Sequence, residues 1–190
     1  MRTGSAFRAT GSATLANSLI WIAPVLRFLS LMIVWLLFTA SAGAAESQLT
    51  FVAKQDVGRG ARQHANEMVQ FATAELGLKL DWSDASIEQI EALAAELHGD
   101  YRREHAAFGD IERLVQLLGS YVGEVFRRNH SGDWGSVTVR GKHVVAMRPT
   151  HGGAVFWPIE RIKQRIRAGG AHNVWAYYQA RTALSNSARE

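Results

Sequence analysis

Between Ile111 and Arg128 the apolar residues recur every three or four positions, and from Trp134 onward the recurrence drops to two. A chain that changes period in this way must join an amphipathic helix to a half-buried strand. In the helical stretch Ile111, Leu114, Val115, Leu117, Leu118, Tyr121, Val122, Val125 and Phe126 fill about half the wheel, the width of a buried face. Glu124 falls just outside that arc, and Gly119 and Gly123 lie near its opposite border, one turn apart.

Two earlier segments carry the same helical period. From about residue 61 to 76, Ala65, Met68, Val69, Ala72 and Leu76 share a face, and Gly77 supplies a stop. Ser83 or Asp84 caps a second helix with Ile87, Ile90, Leu93, Ala94 and Leu97 inward. Before them "SQLTFVAKQDVGRG" reads as a short strand and then a loop.

After the third helix, "WGSVTVRGKHVVAMRPTHGGAVFW" predicts three antiparallel strands with turns at Arg140-Gly141 and at the Pro-Thr-His-Gly-Gly segment. Pro158 then opens a fourth helix with Ile159, Ile162 and Ile166 inward, and Asn173 caps a fifth. The expected class is α+β: N-terminal helices packed on a three-stranded antiparallel meander, followed by two C-terminal helices.

The first 45 residues stand apart. They contain Arg2, Arg8 and Arg27 but no acid, then the apolar run Phe28 to Phe38 and the small-residue exit Ala42-Gly43-Ala44. That order is the order of an export signal. The apolar core of about 11 residues falls short of the roughly 20 a spanning helix needs. The expected organisation is therefore a signal peptide over 1–45 and a single α+β domain over 46–190, periplasmic or secreted. An inner-membrane protein anchored by an uncleaved signal is the alternative. The chain has no cysteine, which excludes disulfides.

Removal of the leader leaves 18 basic against 17 acidic residues, so overall charge gives no ground for nucleic-acid binding. Within the remainder, 46–126 carries 7 basic and 14 acidic residues, and 127–190 carries 11 basic and 3 acidic. Two halves that pack and neutralise one another account for this segregation. A basic face for an anionic partner is the alternative, centred on Arg161, Lys163, Arg165 and Arg167 of the fourth helix.

Glu124 has a partner four residues on in Arg128, the favoured order for a helical ion pair. The spacing predicts a boundary acid closed by Arg128, while the two glycines let a neighbouring element pack closely. The competing readings are a functional carboxylate and a buried acceptor for Trp134 or for the backbone amides of the Asn-His-Ser-Gly turn. His130, Asp133, His143 and His151 gather around the helix end and the strands and include suitable zinc ligands. No HExxH, G-x-S-x-G or phosphate-loop motif is present, so no metal, cofactor or catalytic residue is assigned.

The pattern "LGSYVGEVFRRNHSGDW", followed by short strands and "FWPIERIKQRIRAGG", resembles an uncharacterised bacterial domain family with an LGxYxGE-type helix and a following tryptophan. The resemblance covers roughly residues 75–180. It implies an α+β domain of exported or envelope proteins, supplies no activity, and marks Gly119, Tyr121, Gly123, Glu124 and Trp134. Together these readings predict a non-catalytic envelope module that binds a protein or small ligand in a groove of Tyr121, Glu124, Arg128, His130 and Trp134. The alternative is a hydrolase or metal enzyme using Glu124 with His130, His143 or His151.

Overall fold

A computed structural model describes residues 49–104, 108–152 and 154–188; the expected leader over 1–45 lies outside them. The chain is α+β, with β1 (Phe51–Ala53), α1 (Gln55–Leu76), α2 (Ser86–Glu104), α3 (Phe108–His130), β2 (Gly132–Val139), β3 (Lys142–Pro149), α4 (Pro158–Ala168) and α5 (Val174–Ser187). A short 3-10 turn, Gly170–His172, precedes α5.

Helix α3 is the hub. It packs against α1, α2, α4 and α5 and reaches both β2 and β3. Residues 117–126 are buried without interruption, so this stretch of α3 has no solvent face. A helix enclosed on all sides cannot be read as a half-wheel, and this bears directly on Glu124. Its core side chains Leu118, Tyr121, Val122, Val125 and Phe126 join Met68, Ile87, Ile90, Phe156, Ile162, Ile166 and Tyr178 in one cluster. Each buried aliphatic or aromatic side chain of this kind stabilises by about 1.5–3 kcal/mol relative to exposure.

Helix α1 approaches α3 along a seam of Ala61, Ala65, Met68 and Ala72, small enough for close packing. It begins at Gln55, whereas its first turns read as a loop on the strength of Gly58 and Gly60. Tertiary cover outweighs the helix cost of glycine there, because Gly58 is buried against Trp134. Leu76, expected inward, is exposed. Gly77 ends the helix with φ 64°, as a left-handed stop requires. Asn173 caps α5, its Oδ1 accepting from the Ala176 N–H at 2.7 Å.

The sheet differs from expectation in one strand. Its order is β1-β2-β3, all antiparallel, with Phe51 opposite Val137 and Trp134 opposite Met147. The hairpin turn is Arg140-Gly141, with φ 50° and 75°, the pair of positive angles a two-residue turn demands. "AVFW" does not form the third strand; only Phe156 pairs, with Met147. The next N–H, that of Trp157, donates instead to the Tyr177 hydroxyl at 3.0 Å. Pro158 then starts α4, and proline cannot extend a ladder. The N-terminal "FVA" fills the place on the other edge of β2.

Candidate functional site

Glu124 is 0% exposed. Three donor groups surround its carboxylate. Arg127 Nε donates to Oε1 at 3.0 Å and Oε2 at 3.1 Å, Arg127 Nη2 donates to Oε2 at 2.9 Å, and Trp134 Nε1 donates to Oε1 at 2.8 Å. The expected partner, Arg128, stands farther away, its Nε 3.8 Å from Oε2. Glu124 is therefore an interior acid rather than a boundary one, and its first partner is Arg127 at i+3. The half-wheel reading failed because α1 and β2 cover the side of α3 that it left to solvent.

The glycines explain the geometry. A Cβ on Gly123 would run into the Trp134 indole, and one on Gly119 would run into the Ile159 backbone. Gly123 thus admits the ring whose N–H reaches Glu124, and Gly119 admits the first turn of α4. The hydrogen bonds and charge of Glu124 hold the Arg127 guanidinium above its ordinary pKa. Arg127 is one-third exposed, so it neutralises the buried carboxylate from the side that meets solvent.

That exposed side opens into a cavity of about 470 Å³. Lys54, Arg59, Arg62 and Arg127 line it with Trp134, and Asp133 is the acid in the wall. Among the described residues no carboxylate lies within ion-pair distance of Lys54, Arg59 or Arg62. Lys54 precedes α1 without a side-chain cap, so the positive end of a 22-residue helix adds to the same field.

Arg128 and Tyr121 meet on a different residue. The Arg128 guanidinium lies 3.5 Å over the Trp82 ring, and the Tyr121 ring lies 4.8 Å from it. Trp82 has φ 66°. Its N–H donates to the Tyr121 hydroxyl at 3.0 Å and its carbonyl accepts from Asn129 at 3.0 Å, which holds this unusual backbone from both sides. Burial pushes the Tyr121 phenol up in pKa.

His130 belongs to a third group. Its Nε2 donates to Asp84 Oδ2 at 2.7 Å, while Oδ1 accepts from Asn129 at 2.8 Å and from the Tyr178 hydroxyl at 2.6 Å. Partial burial pushes the Asp84 carboxyl up, but the bonds from Asn129, Tyr178 and His130 outweigh it and hold the pKa below the usual range. Burial, with the adjacent Asp84, pushes Tyr178 far up.

The five groove residues are thus distributed over three adjacent sites around the end of α3. Glu124 and Trp134 are bonded, Tyr121 and Arg128 share Trp82, and His130 joins Asp84. The histidines do not converge. Exposed His143 meets Thr138 at 3.2 Å across the hairpin, four strand residues or about 13 Å beyond Trp134. His151 is exposed in the turn after β3. Among the described residues no group of three or more His, Cys, Asp or Glu side chains could hold a metal.

The Arg161–Arg167 face also divides. Arg165 is buried, its Nε donating to Glu91 Oε1 at 2.7 Å, and Glu91 Oε2 accepts the Val174 N–H at 2.6 Å. Lys163 and Arg167 lie over Phe108, and Arg161 lies over Tyr177. Sequence reasoning missed Arg127, Arg59, Arg62 and Tyr178. The i+3 spacing of Arg127 and the i, i+3 pair Arg59-Arg62 were visible, but the latter needed "GRGAR" to be helical.

No family model matches the chain, and no curated protein matches it. A crystal structure of a protein from Bacteroides thetaiotaomicron VPI-5482 is similar at 12% identity and TM-score 0.51, over 72% of this chain. This chain spans about half of that one, 49%. The likeness is one of fold alone. Among the described residues no helix is long and apolar enough to cross a membrane.

Proposed function

We propose that this protein is an exported, non-catalytic binding module of the cell envelope that takes a small anion, carboxylate or phosphate, in the cavity beside Trp134. The observation that carries the reading is the wall itself: Lys54, Arg59, Arg62 and Arg127 converge with Asp133 as the acid among them. A volume of about 470 Å³ lies within the range of small-molecule sites. Planar guanidinium groups suit the paired oxygens of carboxylates and phosphates. Glu124 has a supporting role, since it fixes Arg127 and Trp134 from behind. In this reading the leader over 1–45 is removed near Ala45 or Glu46, and the chain is kin to the bacterial family with the LGxYxGE helix.

Titration calorimetry with pyrophosphate and citrate tests the binding. Both should bind, more weakly as salt is raised, and Arg59→Gln with Arg62→Gln should raise Kd at least tenfold. Absence of heat with either anion at low salt refutes the site. N-terminal sequencing of fractionated cells tests export, and a full-length chain in the membrane fraction contradicts it.

A further inference from the structure

A second cavity, of about 670 Å³, is lined by the turn end of the hairpin, α4 and α5. Its cations are Arg140 and Lys142 from the hairpin, Arg161 from α4 and Arg181 from α5. Two of them are arranged around one ring. Arg161 lies 4.0 Å and Arg181 4.9 Å from the Tyr177 centroid. The Tyr177 hydroxyl accepts from the Trp157 N–H at 3.0 Å, so the backbone ahead of α4 sets the ring's position.

The Arg181 Nε–H is buried with no acceptor among the described residues. A buried donor without a partner is rare and costs about 1–3 kcal/mol. Nor does any described carboxylate lie within ion-pair distance of Arg140, Lys142, Arg161 or Arg181. Glu160 is the one acid in the wall among the described residues. The remaining wall is Gln164 and an apolar stretch of Leu49, Val139, Val144 and Trp157. Leu49 is among the few large apolar side chains exposed to solvent.

Cations on an aromatic ring beside an aliphatic wall suit a ligand with two ends. We infer that this cavity binds an anionic amphiphile, a carboxylate or phosphate ester on a single hydrocarbon chain. The oxygens accept from the Arg181 and Arg161 guanidinium groups, and the chain lies along Val139, Val144 and Trp157. Such a group reaches the site either as a free monomer or as the headgroup and upper chain of a bilayer lipid. The site shares no residue with the cavity beside Trp134, so either can fail without the other.

The test uses the mature protein with dodecyl phosphate below its micellar concentration, inorganic phosphate, and decyl maltoside as a neutral amphiphile. Dodecyl phosphate should bind at least tenfold more tightly than the other two. Arg161→Gln with Arg181→Gln should weaken it at least tenfold, and the same loss should appear in an Arg59→Gln, Arg62→Gln background, in which the cavity beside Trp134 is silenced. Arg181→Lys, which keeps the charge but removes the planar guanidinium, should also weaken it. If the double variant does not fold, Arg140→Gln with Lys142→Gln on the exposed turn should give a loss of about threefold. Co-sedimentation with phosphatidylcholine vesicles containing one-fifth phosphatidylglycerol separates the sources. Arginine-dependent pelleting identifies the bilayer, and binding of the monomer alone identifies a free ligand. Equal affinity for decyl maltoside and dodecyl phosphate, or binding indifferent to all three sets of substitutions, overturns the inference.

Discussion

Glu124 and Asp84 are two acids bound to the same end of α3, and each accepts a hydrogen bond from the polar tip of an aromatic residue. Trp134 serves Glu124 at 2.8 Å and Tyr178 serves Asp84 at 2.6 Å. Water separates them: the Glu124 side chain is 0% exposed and the Asp84 side chain 40%. An interior acid depends wholly on protein donors, whereas an acid at the edge can exchange a lost donor for solvent. The same chemistry therefore leaves one acid tied to its protein donors and the other able to replace them with water.

Substitutions should reveal that contrast as a descending series. Glu124→Leu leaves the Trp134 N–H unsatisfied and strips Arg127 of its partner, and should cost about 3–5 kcal/mol in denaturant melts. A loss below 1 kcal/mol would place water against Glu124. Gly123→Ala should cost about 1–3 kcal/mol by driving a methyl into the indole; a neutral result would mean that Trp134 moves freely. Tyr178→Phe should cost only about 0.5–1.5 kcal/mol, because Asp84 keeps Asn129, His130 and solvent.

The smallest effect is one of pH. The folded pKa of Asp84 is depressed, so its contribution is present above its unfolded value and is lost as pH falls through the folded one. Below about pH 4, melting of the parent protein should fall more steeply than that of Asp84→Asn. Parallel curves would remove Asp84 from acid unfolding.

Much of this fold is legible in the sequence because it rests on local signals. Pro158, Asn173, Gly77 and Arg140-Gly141 each act within a few residues, and each marks its element correctly. The third strand is not local. β1 is separated from β2 by three helices, and nothing in "FVA" shows which edge it will join. For Glu124 a buried acceptor for Trp134 is the alternative and not the preferred reading of the sequence, since a wheel shows one helix and not what covers its second face. Arg59 and Arg62 reach the site only through a helix that begins six residues earlier than its glycines suggest. Tyr178, 94 residues from Asp84, has no sequence signal at all.

The central claim is that Glu124 is an internal brace for a cationic ligand wall and not itself the working group. Glu124→Gln measures this directly, by thermal melting and pyrophosphate titration of the same preparation. The variant should melt below the parent protein, because a charged pair has been broken in the interior. It should still bind pyrophosphate at least as tightly, because the charge of Arg127 is no longer neutralised. Melting like that of the parent protein together with lost pyrophosphate binding would contradict the claim and make Glu124 a functional residue.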